Sequence, residues 1–145
     1  MNAVKFSEKE MRFLNYMRVG RLATMDGEVI HLVPICPVFD GGVFYMATHG
    51  KTRKVRNLRE NKTATLPIDQ FPEDGMRHVA MRMTGPVGSS EQGGDFDKAK
   101  TLLQAKFLQY NDLFAIKQGE SVILRFNPTR AVTWDYIAGE LNEPH

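Results

Sequence analysis

The chain has 145 residues, of which 42% are apolar and 25% are charged, with twelve Gly and seven Pro. This length and composition favour a single folded domain over residues 1–145 and exclude a disordered, collagen-like or coiled-coil chain. The formal net charge of +2 is small for a domain that binds nucleic acid, and no charge-free stretch approaches the ~20 residues of a membrane helix. We therefore expect neither a nucleic-acid partner nor a membrane partner.

The compartment is inferred from two features of the sequence. The N-terminal residues include Lys5, Glu8 and Lys9, so they lack the basic and then apolar pattern of a secretory signal. The single cysteine, Cys36, cannot form an internal disulfide. Both features favour a cytoplasmic protein.

A capping box predicts the first helix, over residues 7–18. Ser7 is followed three residues later by Glu10, and Met11, Leu14 and Met17 then recur at helical spacing.

A β-hairpin is predicted next, with strands at 19–25 and 28–39 and a turn at Asp26-Gly27. Pro34 and Pro37 each remove a hydrogen-bond donor from the second strand, which predicts an edge position or a bulge there. After the turn at 40–42, a third strand at 43–48 ends in the loop that begins at His49.

The rest of the chain alternates in the same way. Apolar periodicity and turn residues predict helices at 52–61 and 95–111, strands at 63–71, 77–87, 121–126 and 131–136, and a loop from Ser89 to Gly94. The early strands are joined by connections too short for parallel crossovers. The sequence therefore predicts a mainly β, antiparallel barrel with added helices.

The strongest local feature is the basic segment 51–62, which carries six positive charges and one negative charge. It begins where a strand ends, at Gly50, and Thr52 is placed to cap the helix. The free amides and positive dipole end of that helix would then meet Lys51, Arg53 and Lys54 at one point. This arrangement favours a phosphate monoester. An ordinary solvated helix surface is the alternative.

Short matches in chain order extend this feature into a family resemblance. They are Arg21-Leu22-Ala23-Thr24, Val33-Pro34, Val43-Phe44-Tyr45, Thr48, Lys51-Thr52-Arg53-Lys54, Arg56-Asn57-Leu58, Asn61 and Gly85. Together they cover most of the chain, and they resemble the split-barrel flavin-binding proteins related to pyridoxamine 5'-phosphate oxidase.

The resemblance implies a six-stranded antiparallel split β-barrel with flanking helices that forms a homodimer and holds two FMN molecules between its subunits. Arg53 and Lys54 match the pair that grips the flavin phosphate, with Thr48, Lys51 and Thr52 beside it. The strand carrying Val33, Pro34, Ile35 and Cys36 matches the one whose backbone lies along the isoalloxazine ring.

Two further residues are candidates at the cofactor. Trp134 stands where the oxidases place a tryptophan that reaches the flavin of the other subunit, although an ordinary core or interface aromatic is an equal alternative. His49 precedes the basic segment, where the phosphate or the flavin edge would pass, and its alternative is a solvated loop histidine.

The sequence also departs from the true oxidases. Their second strand carries an Arg and a Lys, where this chain has His31 and Ile35-Cys36, and no Arg-rich segment follows Trp134. We therefore expect pyridoxamine 5'-phosphate oxidase activity to be absent or very weak. No catalytic residue is assigned, no His or Cys spacing predicts a metal site, and the glycine pairs lack dinucleotide or P-loop spacing.

The leading functional hypothesis is an FMN-dependent oxidoreductase of unknown substrate. The sequence leaves three alternatives open: a deazaflavin-dependent reductase, a non-enzymatic flavin carrier or sensor, and a nucleic-acid-binding module.

Overall fold

The computed structural model describes residues 3–73, 75 and 77–137. Three α-helices lie in this part of the chain: α1 (Glu8–Tyr16), α2 (Arg53–Glu60) and α3 (Gly94–Lys106), the last followed by a 3-10 helix at Leu108–Asn111. The strands are β1 (Gly20–Asp26), β2 (Val29–Ile35), β3 (Val38–Asp40), β4 (Val43–His49), β5 (Thr63–Gln70), β6 (Arg77–Ser90), β7 (Ser121–Phe126) and β8 (Arg130–Ile137). None of the described helices is long and apolar enough to cross a bilayer.

The strands form one antiparallel sheet that does not close on itself. Their order is β2-β1-β5-β6-β7-β4-β3, and β8 pairs with the first half of β6. The two ends of this path are β2 and β3, which follow each other in the chain. The mainly β, antiparallel split barrel with flanking helices is therefore confirmed, with eight strands in the described part.

Strand β6 joins the two halves of the barrel. Its first part pairs with β5 and β8, and its last four residues pair with β7. Gly85 lies just past the end of the pairing with β8. An added Cβ there would come 2.1 Å from the carbonyl oxygen of Asn127 and 2.9 Å from the Cα of Pro128. Only glycine lets the two backbones approach so closely.

The single strand predicted over 28–39 is wrong in one respect. The chain leaves the sheet at Cys36 and Pro37, and the segment becomes β2 and β3. Pro37 has no N–H to donate to a neighbouring strand, and the strand is interrupted at this residue. Both strands are edges, as the prolines predict.

Other element boundaries differ by a few residues. The capping box of α1 is confirmed: Ser7 Oγ accepts from the Glu10 amide at 3.1 Å, and Glu10 Oε1 accepts from the Ser7 amide at 2.9 Å. The predicted loop from Ser89 to Gly94 begins later, because Ser89 and Ser90 still pair with β7. The predicted helix over 95–111 ends its α-helical part at Lys106.

Two apolar clusters form the core, and β4 separates them. Phe44 and Met46 point into the barrel with residues such as Leu66, whereas Tyr45 points to the other side and packs under α3 with Phe96. All five side chains are at most 2% exposed. Because adjacent residues of a strand face opposite ways, β4 is buried on both faces.

The five strands β2-β1-β5-β6-β8 have a second face, which we call the outer face. Register places Leu32 beside Ala23, and Trp134 beside Ala80, on this side. The helices approach from the opposite side, where Thr24 meets α2 and Thr133 meets α1. Apolar side chains thus remain exposed on the outer face: Ile30 is 67% exposed and Leu32 is 55% exposed.

Candidate cofactor site

A tight turn connects the end of β4 to the start of α2. His49 is the last residue of β4 and pairs with Ser121 of β7. The Gly50 amide then donates to the carbonyl of Glu120 at 2.9 Å, and the Thr52 amide donates to the carbonyl of His49 at 3.2 Å. The basic segment therefore begins at a defined position on the sheet, as its sequence predicts.

Thr52 occupies the cap position of α2, but its side chain does not cap the helix. Its hydroxyl donates to the carbonyl of His49 at 3.0 Å and lies 3.3 Å from the hydroxyl of Thr48. The prediction that Thr52 caps the helix is therefore wrong, because the preceding turn offers a closer acceptor. The first-turn amides are left as donors at the positive end of the helix dipole.

The cations at this end of α2 have different surroundings. Lys54 is half-buried, and burial lowers the pKa of its ammonium group. Arg53 forms an ion pair with Asp26, with Nη1 and Oδ2 3.2 Å apart and both side chains more than half exposed. Lys51 is exposed, and its amide donates to Nδ1 of His49 at 3.2 Å. That bond assigns the proton of the neutral His49 ring to Nε2.

The predicted phosphate residues line two separate cavities. Thr48 and His49 lie on a cavity of about 460 Å³ whose opposite wall runs from Gln109 to Ser121. Arg53 instead lines a groove of about 440 Å³ together with Arg56 and Arg59. Only residues 50–52 separate His49, which lines the first cavity, from Arg53, which lines the second.

A buried hydrogen bond holds α2 against the sheet. The Asn57 side-chain amide donates to Thr24 Oγ1 at 3.0 Å, and these are the two polar residues buried in the described part of the chain. Val55 and Leu58 bury the same face of the helix. The position of the helix start relative to β1 is therefore well defined.

The predicted strand residues lie on the β2 edge. Val33 and Pro34 pair with β1, and Ile35 is 7% exposed and packs in the barrel. The other side of β2 has no partner strand in the described part, so its backbone is open to a ligand. Cys36 lies just past β2, where Gln109 donates to its sulfur at 3.8 Å and burial raises the pKa of the thiol.

Trp134 lies away from the other candidates within one chain. It is in β8, four strands from β2, which corresponds to roughly 15–20 Å along the sheet. The Arg82 guanidinium lies over its ring at 5.3 Å, on the outer face. A single chain therefore does not bring Trp134 to the β2 edge, and α2 lies on the opposite side of the sheet from the outer face.

Sequence reasoning assigned no role in the site to two residues that shape it. Asp26 was assigned only to a turn, and its pairing with Arg53 spans 27 positions, so no local pattern predicts it. Asn57 was detectable in principle, because it is a polar residue beside the buried Leu58. In the described residues no group of His, Cys, Asp and Glu is arranged to hold a metal ion.

Many solved structures share the fold, and three of them illustrate the likeness. A conserved hypothetical protein from Mycobacterium tuberculosis is 18% identical with a TM-score of 0.76, covering 93% of this chain and 88% of its own. A FAD-binding protein from Mesorhizobium loti is 17% identical with a TM-score of 0.73, covering 94% and 99%. A NimC/NimA family protein from Clostridium acetobutylicum is 17% identical with a TM-score of 0.67, covering 94% and 89%.

A comparison with curated protein sequences finds no match. The model of the family described as pyridoxamine 5'-phosphate oxidase matches residues 6–135, which is most of the chain. The match spans the barrel, the turn before α2 and the basic segment itself, so the chain belongs to the pyridoxamine 5'-phosphate oxidase family.

Proposed function

We propose that the protein is a cytoplasmic flavin-dependent oxidoreductase that binds FMN at the start of α2. One observation carries the proposal: the first turn of this helix combines uncapped amides with the half-buried Lys54 and with Arg53. These groups match the chemistry of a phosphate monoester, which accepts several hydrogen bonds and carries negative charge. Family membership and the FAD-binding protein of the same fold support a flavin as the rest of the ligand.

Different residues of the site would bind different parts of the ligand. The α2 start and Lys54 would hold the phosphate, and the open edge of β2 would hydrogen-bond the ring system through its backbone. The flavin, once bound, supplies hydride or electron transfer. His49 would present its Nε2 proton near the phosphate or the ring edge, since its Nδ1 accepts from Lys51.

The second part of the proposal is a homodimer with the cofactor between its subunits. The outer face exposes Ile30 and Leu32 at its β2 edge and carries Trp134 at its β8 edge. An exposed apolar surface of this kind is typical of an interface between copies of a chain. A second copy on this face would also supply Trp134 to the cofactor, which one chain cannot do.

Reconstitution with cofactor tests the first part. Purified protein is titrated with FMN, FAD, riboflavin and a deazaflavin, and binding is followed by flavin absorbance and fluorescence. We expect FMN to bind more tightly than riboflavin, because only FMN carries the phosphate. Equal affinity for FMN and riboflavin contradicts the phosphate anchor. If only the deazaflavin binds, the cofactor is a deazaflavin and the assignment of FMN is wrong.

Reduction of the bound flavin tests for an enzyme. NADH or NADPH, followed by oxygen or another acceptor, should bleach and restore the flavin absorbance over repeated cycles. A flavin that binds tightly but is never reduced indicates a carrier or sensor. Pyridoxamine 5'-phosphate, supplied as substrate, should give little or no pyridoxal 5'-phosphate.

The oligomeric state tests the second part. Light scattering should report a dimer for the native chain and a monomer for Leu32→Arg, with the fold of the variant unchanged because this side chain is 55% exposed. A native monomer at micromolar concentration contradicts the shared site. A matched surface change, Leu113→Arg, should leave the dimer intact, since Leu113 lies in the segment after α3, outside the outer face.

A further inference from the structure

A further groove, beside α1, is separate from the cofactor site. It lies between α1 and the inner face of β6 and β8 and has a volume of about 480 Å³. Its floor is apolar and includes Phe13, Val79 and Met81. We call it the α1 groove, and it shares no lining residue with the cavity at His49 or the groove at Arg53.

The charged groups at one end of the α1 groove are already paired. Asp135 accepts two hydrogen bonds from Arg77, at 3.2 and 3.1 Å, and a further one from Lys9. These bonds hold the pKa of the Asp135 carboxyl below its ordinary value. Glu10 is likewise bonded to Ser7 and Thr133. This end is a closed polar network with little capacity for a ligand.

The other end offers hydrogen-bond donors. Arg12, Tyr16 and Gln70 line the groove there, and in the described part of the chain none of their side chains has an ion-pair or hydrogen-bond partner. Arg12 and Tyr16 are four residues apart and so share one face of α1. The lining holds three cations and two carboxylates, and the paired network leaves the surplus positive charge at Arg12.

We propose that the α1 groove binds a small monocarboxylate with an apolar tail. The carboxylate would accept from the Arg12 guanidinium, the Tyr16 hydroxyl and the Gln70 amide, and the tail would lie along Phe13, Val79 and Met81. The volume is within the range typical of small-molecule sites, and an apolar floor with a few polar groups at one end is their usual composition. Inorganic phosphate would satisfy the donors but leave the floor empty.

Titration calorimetry of the full chain with octanoate tests the proposal. Octanoate should bind, and its neutral analogue octanamide should bind about tenfold more weakly or worse, because it lacks the charge that Arg12 recognises. The affinity should increase by about fourfold for each methylene from butanoate to octanoate if the tail is buried. Equal affinity for octanoate and octanamide, or no change along the series, overturns the assignment.

Variants locate the ligand on the surface. Arg12→Ala should weaken octanoate binding about tenfold, whereas the charge-matched control Arg59→Ala, on α2, should leave it unchanged. Both arginines are exposed, so the variants should fold normally. Saturating FMN should not change the octanoate affinity, so failure of the α1 groove and failure of the flavin proposal give separate results. Equal losses in the two variants indicate diffuse electrostatics and overturn the site.

Discussion

The two ends of α2 carry similar charge, but they differ in the burial of one cation and in their free backbone donors. At the start, Lys54 is half-buried, and the first-turn amides are not capped by Thr52. In the later turns, Arg56 and Arg59 are exposed in an open groove with the carboxylate of Glu60, and this groove extends back to Arg53 and its partner Asp26. The helix is basic along its length, but only its start combines free backbone donors with a cation, Lys54, that is half-buried.

This difference shows why counting charges does not identify a binding site. Solvent screens an exposed guanidinium, and neighbouring carboxylates offset its field. A half-buried ammonium beside unused amides is screened less and is already oriented. If this comparison is correct, substitutions at the two ends of one helix should have very different effects on FMN binding.

The largest effect is expected from the double substitution Arg53→Ala with Lys54→Ala. Each residue makes charge-assisted hydrogen bonds worth roughly 1.5–3 kcal/mol in the proposed complex, so each loss weakens FMN binding by about 10- to 150-fold. The double variant should approach the riboflavin affinity, measured by fluorescence titration. Riboflavin binding itself should barely change.

The matched control is Arg59→Ala with Lys62→Ala, which removes the same charge from the last turn of α2 and from a residue just beyond it. FMN affinity should change by no more than about threefold, because these side chains are exposed and away from the first turn. Equal losses in the two double variants would show that the helix acts as a diffuse basic surface and that the specific anchor is wrong.

Asn57→Ala tests what holds the helix start in place. The substitution leaves the buried Thr24 hydroxyl without its donor and should lower the free energy of unfolding by about 1–3 kcal/mol, measured by urea denaturation. Arg56→Ala, one residue away and exposed, should change it by less than about 0.5 kcal/mol. A stable Asn57→Ala variant with normal FMN affinity would mean that this bond does not position the anchor.

The pH dependence of FMN binding should identify Lys54. Burial lowers the pKa of Lys54 in the free protein, and a bound phosphate favours the charged ammonium and so raises that pKa again. FMN affinity should therefore be highest at pH values below the free-protein pKa and fall severalfold as pH rises through it. Because an arginine guanidinium is not deprotonated in proteins, this decline should be absent in Lys54→Arg.

The smallest effect is expected from Asp26→Asn. Asp26 holds the Arg53 guanidinium in an exposed ion pair, and such pairs contribute about 0–1 kcal/mol. Releasing Arg53 should tighten FMN binding by at most about fivefold. Glu60→Gln removes the same charge from the later part of the helix and should have no effect. Weaker binding in Asp26→Asn would indicate that the ion pair orients Arg53 toward the phosphate.

Local sequence patterns predicted the elements well where the stabilising interactions join residues close together in the chain. The capping box of Ser7 and Glu10, the turn at Asp26-Gly27 and the apolar periodicity each act over a few residues, and each produced the expected element. The break of the second strand was less accessible. Both prolines remove a donor, but Pro34 remains within β2 and Pro37 lies in the break, because pairing with β1 ends at Ile35.

The candidate site divides in the same way. The concentration of cations in 51–62 and the position of Gly50 were evident from the chain alone. Which cation is half-buried, which one pairs with a hairpin tip 27 positions earlier, and where the Thr52 hydroxyl points depend on contacts between distant segments. The assignment of Thr48, His49 and Arg53 to two separate cavities also follows only from those contacts.

The sequence by itself determined the mainly β antiparallel class, the three helices and the basic segment at a strand end, because turn chemistry, periodicity and capping are properties of neighbouring residues. The tertiary structure decided that β2 and β3 lie at opposite ends of the sheet, and that Gly85 must pass against Asn127. It also decided that α1 and α2 pack on the side of the sheet opposite the outer face. It decided, too, that Lys54 at the start of α2 is half-buried whereas Arg56 and Arg59 are exposed. These outcomes depend on which strands pair and which side chains lose water, and such pairings join residues far apart in the chain.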